Sequence, residues 1–383
     1  MRICLVHQYY KTPKSGGAIR SYYIAHHLKK QGHEVVVITA QNDKGILVDD
    51  TDGFEVHYLP VYYENHLSFF SRIHAFYRYV RAANQHIDKL VPFDLLYVIT
   101  TPLTTGFIAI RALKRYGIPY IFEVGDLWPE APIQLGVIKN PIYKRIAYRL
   151  EKRFYSNARA LIGLSPSITD HLKAHAPGKP VITLTNFADK DMFSQERQPS
   201  SQSFTIGYLG TMGMANHLEF LLDAAESLAP LDVKIILVGR GARKESLQGE
   251  SKKRGLTNVT FIDHQSKADL KVIMQGIDAL YISFKDVPVL NTGSPNKFFD
   301  ALAAGKMVII NFEGWIKDLV EQHALGIYYP PHQPELLADK LLPYLQNRGE
   351  VTKAQQNAEA LAATYSPKEQ LLKLDHLLAE LKL

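Results

Sequence analysis

Short apolar runs rich in β-branched residues recur along this chain, each followed by a stretch of helical spacing. The alternation stops once and then restarts. Ile3–Val6 reads as a strand and Ala18–Gln31 as a helix that ends at Gly32. Val35–Thr39, Leu95–Ile99 and Tyr120–Phe122 continue the series, and Ala160–Leu164 and Val181–Leu184 close it. Strands of this kind, separated by helical crossovers, belong to a parallel sheet covered on both faces. Asn186 to Ser203 breaks the rhythm: it is polar, serine-containing and interrupted by a proline, as a linker is. Beyond it come a strand at Thr205–Leu209, a helix at His217–Leu228, and strands at Lys234–Val238, Val259–Ile262, Ala279–Ser283 and Val308–Asn311. The expectation is an α/β chain of two doubly wound domains, with ligands at the carboxyl ends of the strands and in the cleft between the domains.

The length agrees, since 383 residues exceed what one hydrophobic core usually supports. A charged content of 21% and a hydrophobic content of 46% describe an ordinary globular chain. The single cysteine, Cys4, excludes an intramolecular disulfide and fits a reducing compartment. The opening Met-Arg-Ile-Cys-Leu-Val is apolar too briefly for an export signal, and no run is long enough to span a membrane. A cytoplasmic protein is expected. Its net charge of +6 is uneven. Residues 1–185 hold 23 Lys/Arg against 14 Asp/Glu, and the remainder holds 21 against 24. That asymmetry points to a negative, extended partner of the first half.

The segment Asn291 to Ile310, N-T-G-S-P-N-K-F-F-D-A-L-A-A-G-K-M-V-I-I, carries the clearest chemistry. A glycine- and serine-containing loop enters a helix, a glycine ends that helix, and a β-branched strand follows. Unpaired N–H groups at the helix start, together with the helix dipole, favour a phosphate there. Lys297 in the first turn adds a full charge, and Asp300 one turn on is spaced to accept hydrogen bonds from sugar or ribose hydroxyls. Three other loops follow strands in the same way: Ser15-Gly16-Gly17-Ala18, Gly207 to Gly213, and Leu237-Val238-Gly239-Arg240-Gly241. Each alone is an ordinary α/β turn.

Together, in this order and spacing, the four loops resemble those of the retaining glycosyltransferases of family 4, over essentially the whole chain. The resemblance implies the GT-B architecture, two Rossmann-like domains facing a cleft. It divides the chain into an acceptor-binding domain at 1–187, a nucleotide-sugar domain at 204–365, and a terminal helix at 366–383 that returns to the first domain. That helix agrees with the leucines at helical spacing in Pro367 to Leu383. The string Phe122 to Gly136, F-E-V-G-D-L-W-P-E-A-P-I-Q-L-G, is similar to a subgroup that builds bacterial surface polysaccharides such as lipopolysaccharide, including transferases of N-acetyl-fucosamine.

The resemblance also implies roles. Gly16 and Gly17 match the loop that approaches the donor's phosphates and sugar, and Gly210 and Thr211 match the phosphate-side loop of the second domain. Arg240 lies between glycines beside the nucleotide, and His264 follows a strand end where the family holds the base. Ser294, Pro295, Asn296 and Lys297 match the diphosphate loop, and Asp300 stands where a glutamate usually binds the ribose. Asp126 is expected to orient acceptor or sugar, with Glu130 beside it. Three departures mark the chain. Thr211 and Asn216 occupy the places of the usual diphosphate arginine and lysine, Thr292 replaces the first of two paired glutamates, and Gly125 replaces a histidine before Asp126. Each of these residues also has a plain structural reading: Asp126 as a turn cap, Glu130 and Lys297 as helix-start residues, Asp300 as a surface position, His264 as a loop residue. His7, at the end of the first strand, is a further candidate.

Two basic stretches interleaved with aromatics, Phe69 to His86 and Asn140 to Arg159, suit the interface of an anionic membrane, although surface helices with buried aromatics would read the same. The expected activity is transfer of a hexosyl group, an N-acetylated amino sugar, from a nucleotide diphosphate sugar, taken as UDP-linked, to a lipid-linked saccharide. It would act peripherally at the inner face of the cytoplasmic membrane. No cofactor, metal or nucleic-acid partner is expected. The rival readings are a sugar-nucleotide 2-epimerase on the same fold and a non-catalytic sugar-nucleotide-binding protein.

Overall fold

The computed structural model describes residues 1–13, 19–64, 67, 69–193, 203–265 and 267–382. Gly16 and Gly17 lie outside the described residues, as does the 194–202 part of the expected linker; its 190–193 part is a short helix, Lys190–Phe193. The chain divides into two compact units. The first comprises Met1–Thr185, Thr292–Ser294 and Gln370–Leu383; the second comprises Asn186–Asn291 and Pro295–Glu369.

Among the described residues of the first unit, eight strands form one sheet: β1 (Arg2–Val6), β2 (Glu34–Gln41), β3 (Leu47–Asp49), β4 (Glu55–Pro60), β5 (Leu95–Ile99), β6 (Tyr120–Val124), β7 (Ala160–Gly163) and β8 (Val181–Thr183). Their order is β3-β4-β2-β1-β5-β6-β7-β8, parallel throughout except for the antiparallel β3–β4 pair. β5, β6 and β7 are buried along their whole length, as strands covered on both faces must be. This is why β5 and β7 read as unbroken apolar runs, and why β6 does so as far as Phe122. β3 and β4 were not expected: β3 is three residues long and its exposed Leu47 and Val48 make no apolar period, while β4 alternates Glu55 and His57 with apolar residues. The terminal helix Pro367–Leu381 buries Leu371, Leu374, Leu377, Leu378 and Leu381. Its Asp375 bonds His27, on the first helix, Arg20–Lys30, at 2.7 Å and Gln31, the residue that ends that helix, at 3.0 Å.

The second unit holds β9 (Phe204–Leu209), β10 (Val233–Val238), β11 (Val259–Ile262), β12 (Ala279–Ile282), β13 (Met307–Ile310) and β14 (Gly326–Tyr328). All its strand pairs are parallel, and the order β11-β10-β9-β12-β13-β14 is the 3-2-1-4-5-6 arrangement of a dinucleotide-type fold. Strand order reverses between β9 and β12, where such sheets leave room for ligands beyond the carboxyl ends. Register sets the neighbours there. Val238 pairs with Leu209 on one side and Ile262 on the other, so the loops opening at Gly210, Gly239 and Asp263 leave the sheet side by side.

The helix that follows the loop at 293–295 runs Asn296–Ala303 and ends just before Gly305, as the sequence implies. It stops because Gly305 N–H bonds Leu302 O at 3.1 Å and Lys306 N–H bonds Ala301 O at 2.9 Å, the paired bonds of a Schellman cap. Phe298, Phe299, Ala301 and Leu302 then seat the helix in the core of the unit. Each of the two phenylalanines and Leu302 contributes about 1.5–3 kcal/mol on burial, enough to fix the position of the polar first turn.

Candidate functional site

In the second unit two glycine loops interlock. Gly239 has φ of +147°, and a Cβ built there would lie 1.9 Å from the Gly210 carbonyl oxygen. Only a residue without a side chain lets these backbones approach so closely. The contact is held by Gly210 N–H to Val238 O at 2.9 Å and Met212 N–H to Arg240 O at 2.9 Å. Thr211 is fixed through its carbonyl, which accepts the Tyr208 hydroxyl at 2.5 Å and the Asn216 amide at 2.8 Å. Asn216 is therefore a brace of this loop. Arg240 and His264 are exposed at the mouths of their loops. Between those loops Lys244 Nζ bonds Gly239 O at 3.2 Å, Ile262 O at 3.4 Å and Asp263 Oδ1 at 2.5 Å, tying the ends of β10 and β11 together. The Lys244 hydrogen bond holds the Asp263 carboxyl below its ordinary range.

Lys297 reaches into this loop system. A Cβ on Gly210 would lie 2.8 Å from Lys297 Cε and 3.2 Å from Nζ, and the ammonium stands 5.0 Å from the centroid of the Tyr208 ring. The lysine is half-buried in the first turn of a helix, the end that carries partial positive charge. Among the described residues it has no ion pair. Desolvation by its surroundings lowers its pKa to about 8, with Asp300 opposing the shift. The ammonium is thus unfavourably placed until an anion joins it. Ser294 and Pro295 are half-buried, Asn296 is exposed, and Asp300 is half-buried one turn along the same helix.

In the first unit the ends of β5 and β6 are cross-linked. Gly125 N–H bonds Thr100 Oγ1 at 3.2 Å, and Thr101 Oγ1 lies 3.4 Å from Asp126 Oδ2. Thr101 has φ of +85°, a strained conformation for a β-branched residue that costs about 1–3 kcal/mol. Asp126 is exposed, yet the desolvation around it raises its pKa, with the Thr101 hydroxyl lowering it in part. A carboxylate both accessible and incompletely solvated suits a group that meets substrate. Glu130 is otherwise engaged. It accepts the Tyr148 hydroxyl and the Gln134 amide, the latter at 2.7 Å, and these contacts, Tyr148 first, lower its pKa. It links the short helix Glu130–Gln134 to the helix Pro141–Asn157.

Sequence reasoning missed the buried pair beneath this edge. Arg20 Nε bonds Glu123 Oε1 at 2.7 Å, Tyr97 donates its hydroxyl to Glu123 Oε2, and Arg20 also reaches Thr185 O at 2.5 Å and Leu184 O at 2.9 Å. One signal was available: a glutamate inside the apolar run Tyr120–Val124 must find a cation when both faces are covered. Tyr208 and Lys244 gave no comparable signal.

The comparisons with known proteins fit this arrangement. Residues 15–186 match the glycosyl transferase 4-like domain family, and residues 189–361 match the glycosyl transferases group 1 family. The chain is a glycosyltransferase. A GDP-mannose-dependent alpha-mannosyltransferase of Mycobacterium tuberculosis is 22% identical to it over 347 residues, 86% of this chain and 84% of that protein. Among solved structures, sucrose-phosphate synthase from Thermosynechococcus elongatus superimposes with a TM-score of 0.80 at 16% identity, covering 99% of this chain and 98% of that one. Anabaena HepE, solved with UDP and glucose, gives 0.72 at 18% identity, covering 99% of each chain. These likenesses establish the GT-B fold along the transferase. In the enzyme the glycine loops with Lys297 follow strands of the second unit and Asp126 follows β6 of the first, at the carboxyl ends where open α/β sheets carry ligands. In the transferase, the strained Thr101 and the buried Arg20–Glu123 pair support the edge that bears Asp126.

Proposed function

We propose that the enzyme transfers an N-acetylated amino-hexosyl group from a nucleotide diphosphate sugar, with retention, to a lipid-linked saccharide in surface polysaccharide synthesis. The observation that carries the donor half of this reading is Lys297, a partly desolvated ammonium with no ion pair among the described residues, set against the Gly210 backbone at a helix start. A diphosphate completes it. Lys297, Arg240 and the Asn296 N–H at the helix start stabilise the departing diphosphate, Gly210 and Thr211 let it approach the backbone, and Asp300 holds the ribose hydroxyls. The base sits by His264. The anomeric C–O bond breaks with its electron pair leaving on the diphosphate. The acceptor oxygen bonds to the same face, and its proton passes to a diphosphate oxygen. No protein nucleophile is needed. Asp126 orients acceptor or sugar, and Glu130 positions the turn that carries it through Tyr148. The second unit takes the nucleotide and the first the acceptor.

The acceptor half rests on the first unit's surface. Among the described residues, thirteen of its large apolar side chains are exposed, including Ile142 and Tyr143, each at 65%, and Ile146, against three in the second unit. On the helix Pro141–Asn157 these stand among Lys144, Arg145, Arg149, Lys152 and Arg153, while its one acid, Glu151, is buried against His171. A helix with apolar and basic groups outward suits an anionic lipid surface, and would hold the enzyme peripherally at the cytoplasmic membrane. Among the described residues no helix is long and apolar enough to cross a membrane.

Nucleotide release from UDP-, GDP- and dTDP-sugars, with and without bacterial membrane lipid extract, tests the proposal. UDP is the expected base; the mannosyltransferase relative makes GDP the comparison to run first. Lipid-dependent release from one donor, lost in Lys297→Ala, is the expected result. Release that ignores lipid would favour the epimerase, and tight binding without release would favour a non-catalytic protein.

A further inference from the structure

Four rings stand in file along the carboxyl edge of the first unit's sheet. His7 follows β1, and its Nδ1 lies 2.8 Å from the buried Ser21 hydroxyl, which fixes the ring and leaves Nε2 available for a ligand. Tyr9 meets it edge to face at 6.3 Å. Tyr63, beyond the end of β4, lies 5.0 Å from Tyr9, and Phe76 on the helix Phe69–Leu90 stacks on Tyr63 at 5.7 Å with an interplanar angle of 23°. Tyr63 is anchored by its backbone N–H, which donates to Asn42 Oδ1 at 3.0 Å.

These rings differ from the core aromatics of the same unit. Tyr79, Tyr97, Tyr120 and Phe122 are fully buried, whereas His7, Tyr9, Tyr63 and Phe76 are all half-buried. Beyond them Tyr62 and Tyr77 are exposed at 45% and 62%. A core cluster hides its rings; this one keeps ring surface at the edge where the sheet ends. Burial raises the Tyr9 hydroxyl's pKa and Arg72 opposes that shift, so a cation also flanks the file. Electron-rich ring faces attract the polarised C–H groups of a pyranose, whose hydroxyls stay free for neighbouring polar groups such as His7 Nε2.

We propose that His7, Tyr9, Tyr63 and Phe76 form a stacking track for the saccharide part of the acceptor. The assignment rests on the transfer reading only in calling that saccharide the acceptor. The track leads from His7, on the same carboxyl edge as Asp126, outward to the helix that carries Arg72.

Saturation-transfer NMR on the full chain, irradiating aromatic protons, tests this with methyl glycosides of glucose, mannose and N-acetylglucosamine as probes. At least one glycoside should show transfer to its ring C–H protons, unchanged in Tyr63→Phe and reduced about fivefold in Tyr63→Leu and in Phe76→Leu. Melting temperature reports whether each variant is folded, and Phe76→Leu carries the test if Tyr63→Leu is not. No transfer with any glycoside, or equal transfer in the folded leucine variants, overturns the track. The readout involves neither lipid nor nucleotide, so failure of the release assay and failure of this one are separate results.

Discussion

Replacing Lys297 by methionine keeps the volume of the side chain and removes its charge, and the two effects on the enzyme run in opposite directions. In the free protein the ammonium is disfavoured: its pKa is about 8 against an ordinary 10.5, a difference worth at most about 3 kcal/mol. Losing the Tyr208 contact at 5.0 Å gives back about 1 kcal/mol. The second unit should therefore gain about 2 kcal/mol at pH 7, or roughly 4–8 °C in its melting transition. Catalysis should suffer, because a charge-assisted hydrogen bond to the departing diphosphate is worth about 1.5–3 kcal/mol, or roughly 10–150-fold in kcat/KM. The pH dependence follows with its sign. A lysine whose folded pKa is lowered releases its proton first in the folded state, so stability of the wild type rises between about pH 8 and 10.5. Its kcat/KM falls over the same interval as the free enzyme loses the charge, and the variant's does not. Differential scanning calorimetry and nucleotide-release kinetics from pH 7 to 9.5 measure both. A variant within threefold of wild-type kcat/KM at pH 7, with the wild-type profile flat above pH 8, would falsify the role given to Lys297.

Three further outcomes are expected. Gly239→Ala should destabilise the second unit by about 3 kcal/mol or more, since its Cβ would meet a backbone oxygen at 1.9 Å, while Gly213→Ala, with nothing nearer than 3.5 Å, should be nearly neutral; thermal unfolding compares them. Glu123→Gln should cost the first unit about 3–5 kcal/mol by leaving Arg20 buried without its carboxylate, read from urea titrations. Asp88, held down to about 2 mainly by its hydrogen bond from Arg111, contributes stability that is present above about pH 4 and lost as pH falls towards 2. Asp88→Asn should remove about 1 kcal/mol at pH 7 and flatten that acid limb, as melting temperatures across pH 2–6 would report.

The alternation of strands and helices was legible because it is local. β5 and β11 begin and end where their apolar runs do, and the helix Asn296–Ala303 stops before Gly305 because the adjacent N–H groups of Gly305 and Lys306 close its last turn. Lys297 in the first turn and the glycine loops after β9 and β10 follow from that same periodicity. Where the pattern failed, so did the reading: β3 has its Leu47 and Val48 exposed and β14 is Gly-Ile-Tyr, neither an apolar run, and they exist because a longer neighbour offers its edge.

Tertiary structure decided what those positions are worth. Arg20 meets Glu123 across 103 residues of chain, and Lys297 meets Tyr208 and Gly210 across nearly as many. Whether a lysine is an ordinary surface cation or a desolvated one depends on neighbours that no local pattern contains. The same holds for the file from His7 to Phe76, whose members follow β1, follow β4 and lie on the helix Phe69–Leu90, and become a track only when β2 pairs with both β1 and β4. Backbone preference and apolar period act over a few residues, and so they write the elements into the sequence. Burial, charge pairing and ring stacking act through space, between groups the chain brings together only once it has folded.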